Sequence, residues 1–223
     1  MDFLNSQHLT TQDGYAHPFS QPGEFTYGAL LAGTCDATDT GKIIVSGEKV
    51  PEGEGTQYNI VFHWDIAARQ FRTNSSREKL EIRPNDFVVF HFSAAVPGQP
   101  PCSIRIWGKD SVEGDSRHLR THDAFSHFFL EPGEYAYRLG EGVYRISVGD
   151  HRSMEEEEHE QQVRRPLVIM VNGPHVSVTH GHMVAGQSAI WAMEHAENAH
   201  IEVLLANAAS KVELNPQPLP PKE

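Results

Sequence analysis

The stretch HVSVTHGH, from His175 to His182, holds three of the chain's 14 histidines. His180 and His182 stand two apart, so on a strand both imidazoles point to one face. Neutral imidazole suits Zn, Cu, Fe or Ni, and two such rings can share an ion if further donors join them. A hairpin over 188–206, turning at Glu197-Asn198, would set His195 opposite His200. It would also bring Glu194, Glu197 and Glu202 close. The expectation is a divalent metal ion (Zn, Cu or Fe) on His180, His182, His195 and His200. The competing reading is solvated or hydrogen-bonded histidines.

A second group lies in HLRTHDAFSH. His118 and His122 would share a face of a helix. His127 follows, and Asp123 is placed to orient an imidazole. The same histidines would serve an acid–base enzyme that needs no metal. His63 and His91 sit within apolar strands and read as core or interface residues. No Gly-x-Ser-x-Gly elbow, His-Glu-x-x-His pair or phosphate-cradling glycine loop is present, so no catalytic residue is assigned.

The elements that must carry these groups read as strands. Apolar and β-branched runs recur at EFTYGALLAGT, GKIIVSGEKV, YNIVFHWDI, KLEI, DFVVFHFSAA, SIRIWG, AFSHFFL, GEYAYRL and GVYRISVGD, separated by breaks rich in Pro, Gly and Asn. No long helix is apparent before residue 150, which argues for a β-sandwich. The boundaries expected are an N-terminal arm over 1–23, a sandwich over 24–150 and an acidic linker over 151–165. A smaller β unit over 166–212 and a Pro-rich extended tail over 213–223 follow. The run of four Glu in the linker reads as a solvated loop or a short helix face. KLEIRPNDFVVFHFSAAVPGQ and PLVIMVNGPHVSVTHGHMVAGQ form a faint internal echo, each a strand, an Asn turn and a second strand.

The net charge of -12 and the lack of a Lys/Arg cluster argue against nucleic acid. No apolar stretch is long enough for a bilayer, and the first residues lack the pattern of a signal peptide. A cytoplasmic location is expected. Cys35 and Cys102 make no disulfide framework.

FFLEPGEYAYRLGEGVYRISVGD, together with LEIRPNDFVVFHF, resembles the cupredoxin family over about residues 58–150. PGEYAYRL is similar to that family's penultimate strand and GVYRISV to its last. The resemblance implies a Greek-key β-sandwich. It also implies where type 1 copper ligands would stand, and all four are missing. Cys102 occupies the place of the first His and Leu139 that of the Cys. The loop that should carry the second His and the Met is reduced to Gly-Glu-Gly. Cys102 and Leu139 then read as plugs of the former pocket.

The chain is therefore expected to be an all-β, cupredoxin-like sandwich with an additional smaller β unit and no type 1 copper. Its function is expected to be binding a divalent metal through histidines, with a small-molecule reaction as one use of that metal. The rival reading is a non-catalytic binding or assembly subunit with a small-molecule or protein partner, a homo-oligomer that uses its arm and tail as connectors. In the tail, Leu214 and Leu219 are the candidate anchors.

Overall fold

The computed structural model describes residues 4–32, 34, 37–48, 55–73, 79–93, 98–152 and 154–205. The Pro-rich tail and Cys35 lie outside them. The strands in chain order are β1 (Leu4–Asn5), β2 (Asp13–Pro18), β3 (Gly23–Leu31), β4 (Ala37–Val45), β5 (Gln57–Asp65), β6 (Gln70–Thr73), β7 (Lys79–Ile82), β8 (Phe87–Phe92) and β9 (Cys102–Trp107). Then come β10 (Val112–Asp115), β11 (Ala124–Phe128), β12 (Gly133–Leu139) and β13 (Gly142–Gly149). After the helix α1 (Glu156–Val163) follow β14 (Leu167–Asn172), β15 (His175–Val176), β16 (His180–Val184), β17 (Ser188–His195) and β18 (Ile201–Leu205). No helix is long and apolar enough to cross a membrane among the described residues.

The fold is an all-β sandwich of three mixed sheets. A large sheet has the order β15-β14-β17-β11-β2-β8-β5-β6, and two five-stranded sheets run β10-β9-β3-β4-β7 and β1-β18-β12-β13-β16. Alternation decides what each strand buries. On β2, β8, β11 and β17 it sends Tyr15, Phe90, Phe125 and Trp191 into the core. The small sheets meet that face through their own aromatics. Tyr27 of β3 lies 5.5 Å from Phe90, and Tyr137 of β12 lies 5.4 Å from Trp191.

The architecture is doubled. Ser-x-His-Leu-x-Thr-x-Asp-x-Tyr-x-His-x-Phe-x-x-Pro-Gly-Glu-Phe-x-Tyr, from Ser6 to Tyr27, returns 110 positions on, from Ser116 to Tyr137, with Phe125 for Tyr15 and Tyr135 for Phe25. The hydrogen bonds repeat with it. Thr10 N donates to Asp13 Oδ2 as Arg120 N does to Asp123 Oδ2. Ile201 N donates to Ser6 Oγ as Ile104 N does to Ser116 Oγ. The equivalence continues through parallel pairs in both halves, β5 with β8 and β14 with β17, β4 with β7 and β13 with β16. Each copy also lends its first strand to the other. β1 completes the sheet of β18 and β12, and β10 completes the sheet of β9 and β3.

Several expectations change. The described part of the expected arm over 1–23, residues 4–23, is not an arm, since β2 is a central strand of the large sheet, paired with β8 and β11. The stretch reads as polar because Asp13 and His17 are core residues that find buried partners. Residues 166–205 are not a separate unit, because β14 and β17 extend the large sheet and β16 and β18 flank β13 and β12. The echo does not hold as read, although both segments belong to a true repeat. Val88, Phe90 and Phe92 correspond to Ala189, Trp191 and Met193 by register, so PLVIMV answers to β5 rather than to KLEI. The Glu run does form a short helix, with no buried residue.

Candidate functional site

The two copies are joined at the pair β2 and β11. Their antiparallel register sets Phe125 opposite Tyr15 and His127 opposite Asp13. His127 Nδ1 lies 2.7 Å from Asp13 Oδ1, and His17 Nδ1 lies 2.7 Å from Asp123 Oδ1. The carboxylates are held in turn. Thr10 gives Asp13 both its N–H and its hydroxyl, while Asp123 receives the Tyr15 hydroxyl and the Arg120 N–H. Burial first, and then the Asp123 charge, pushes the Tyr15 phenol well above its ordinary range. His17 Nε2 is buried without a partner, and His17, Asp13 and Asp123 border the cleft on the open face of the large sheet. These pairs are locks between the copies.

The opposite face of the large sheet is open. One row across it reads Met170, Ala192, Ala124, Ala16, Val89, Asn59. The next reads Val168, Ile190, Ser126, Gly14, His91, Val61. In these two rows the two central strands present only Ala, Gly and Ser, with Pro18 and Phe128 at their ends and bulkier side chains to either side. The result is a cleft of about 1050 Å³. Gly14 is needed at its floor, because a methyl group there would lie 2.6 Å from Ser126 Oγ. Phe128 and Val168 on one flank are each 46% exposed, large apolar groups left in water. On the other flank, burial pushes the His91 imidazole below its ordinary pKa.

The histidines singled out by spacing fare differently. His180 and His182 do share a face of β16, with ring centroids 4.5 Å apart. His180 Nε2 lies 3.0 Å from Ser147 Oγ, and that hydroxyl gives its only proton to Glu134 Oε2 at 2.8 Å. The imidazole must then donate at Nε2, which leaves that nitrogen without a lone pair for an ion. His195 and His200 do not join them. The turn at Asn198 forms as read, with φ 61°. It carries the chain from the large sheet into the sheet of β12 instead of closing a hairpin. Thr121 and Leu119 hold that crossing by bonds to Ala196 and Ala199. Glu202 faces Arg138 at 3.5 Å. Among the described residues no group of three or more His, Cys, Asp or Glu is arranged to hold an ion.

His118, His122 and His127 are not brought together either. The segment is a turn rather than a helix. His118 and His122 are exposed, His122 has φ 75°, and His127 is buried on Asp13. Asp123 does orient an imidazole, that of His17, which spacing alone did not single out. The signal that would have found it is the recurrence of Asp-x-Tyr/Phe-x-His. Cys102 and Leu139 are both buried but lie in different sheets, Cys102 opposite Leu31 and Leu139 opposite Gly142 and Ile201, so no pairing unites them as one plug. In the other copy Ala29 stands where Leu139 does. Neither side chain donates to copper, so added Cu(II) is expected to give no intense thiolate charge-transfer band. Visible absorption of a copper titration checks this, and a blue colour lost in Cys102→Ser would contradict it.

No protein-family model matches the chain, and neither the curated proteins nor the solved structures contain a match.

Proposed function

We propose that this chain is a non-catalytic binding module that holds a small molecule in the cleft on the open face of its large sheet. The observation that carries the reading is the cleft itself. Its volume sits at the upper end of the about 300–1,000 Å³ usual for small-molecule sites. Its floor is kept low by Gly14, Ala16, Ala124 and Ser126, and it leaves Phe128 of its lining in water. The floor is also rigid, because the two His–Asp pairs fix its central strands from behind. A metal centre has less support, with two donors at His180 and His182 and one of the four nitrogens engaged by Ser147. The cupredoxin-like reading fits a scaffold used for binding alone, since Leu139 and Ala29 fill the position of the thiolate.

An uncharged solvatochromic dye such as Nile red tests this. Its emission is expected to rise and saturate near one dye per chain. Ile190→Arg places a charge on the apolar flank and is expected to weaken binding at least tenfold, with unchanged circular dichroism. Equal dye binding by both proteins, or no saturable binding by either, would refute the proposal.

A further inference from the structure

The internal duplication supplies a control for what the cleft selects. Positions related by the repeat began with the same environment, so a consistent difference between them marks a local demand. Facing the core, related positions keep their character: Asp13 and Asp123, His17 and His127, Phe19 and Phe129, Ile60 and Ile169. Facing the cleft, three pairs part in one direction. Asn59 answers to Val168, His91 to Ala192 and Ser20 to Leu130; Asn59, His91, Ala192 and Ser20 line the cleft, and Val168 stands beside the lining residue Ile190. The flank built on β5 and β8 sets Asn59 and His91 among Val61, Phe87 and Val89, while the flank built on β14 and β17 is apolar apart from Ser188. Phe87 against Ser188 and Ala16 against Ser126 run the other way. The residues of the β5 and β8 flank that line the cleft include no carboxylate, Lys or Arg; Asp65, farther along β5, is bound to Arg72. Burial also favours the neutral form of His91. Charged members of the lining stand elsewhere: Asp13 and Asp123, engaged by His127 and His17, Glu113 and Arg120 ahead of β11, where the Arg120 guanidinium donates to Val112 O, and Glu194 near the end of β17.

Building on the binding role proposed above, we infer that the ligand is an amphiphile with an uncharged, hydrogen-bonding head group. The head lies toward Asn59 and His91, and the apolar tail crosses the Ala–Gly floor to Ile190, Val168 and Met170. From β5 to β14 the row spans five strand gaps, about 24 Å at the usual interstrand distance. That is room for a head group and an extended chain laid across the strands. Hydroxyl or amide groups suit Asn59, which both donates and accepts. A charged head would lose hydration on this flank without meeting an opposite charge.

Calorimetric titration of the full chain with decyl maltoside, below its micelle concentration, tests the inference. Decyl sulfate and decyltrimethylammonium carry the same tail on charged heads, and maltose supplies the head alone. Decyl maltoside is expected to bind at least tenfold more tightly than either charged analogue, and maltose alone at least a hundredfold more weakly. Asn59→Leu is expected to remove most of the preference among heads while leaving Nile red binding intact. Equal affinity for the three heads, or a preference unchanged in Asn59→Leu, would overturn the inference and leave the binding role standing. Absence of Nile red binding would remove both.

Discussion

Asp123→Ala is expected to destabilise the chain by about 3–5 kcal/mol, the usual cost of removing one member of a buried pair. The carboxylate is 1% exposed and accepts from three donors: His17 Nδ1, the Tyr15 hydroxyl and the Arg120 N–H. Removing it leaves all three without their acceptor, two of them in buried bonds. Asp13→Ala is expected to match it, because Asp13 takes His127 and both donors of Thr10 in the related position. Tyr15→Phe gives up one neutral donor and should cost only about 1 kcal/mol. Urea unfolding followed by circular dichroism measures all three. A loss below about 1 kcal/mol for both aspartates would mean that these pairs do not hold the copies together.

Cutting the chain between Lys109 and Asp110 is expected to give two fragments that do not fold alone and fold together when mixed. The first fragment would hold β1 with no β18 to pair with, and β2 without β11. The second would lack β9 for its β10 and β1 for its β18. Each would also keep a buried Asp and a buried His whose partners are in the other. Circular dichroism of the separate and mixed fragments, with light scattering for their mass, decides the matter. A cooperative unfolding transition in either fragment alone would contradict the exchange of first strands.

Alternation made most strands legible. Runs such as DFVVFHF and QYNIVFHW follow the alternation of a half-buried strand, with Val88, Phe90 and Phe92 and with Ile60 and Phe62 turned inward. β2 was hidden because its core positions include Asp13 and His17, whose polarity is cancelled by partners more than a hundred residues away. Pairing at such a distance has no local signature. Adjacency misled at 188–206 for a related reason. Two strands joined by a short turn usually pair, but Thr121 and Leu119 hold this turn as a crossing between sheets. The cleft had no signal in any single segment. Its floor takes one or two small residues from each of three strands far apart in sequence, and Ala, Gly and Ser are unremarkable within each. The duplication was the strongest message available, and it is visible only when the beginning of the chain is laid against its middle.

The exchange of first strands has a consequence for how this surface can change. A twofold dimer of identical subunits presents every substitution twice, so a side chain gained on one wall of a shared groove is gained on the other. Here the two halves are written separately on one chain. Asn59 was free to differ from Val168 while the interlocked centre kept Asp13 and Asp123, His17 and His127 alike. Covalent linkage thus lets one ancestral surface acquire a direction, a head end and a tail end, that no symmetric pair of separate subunits could have.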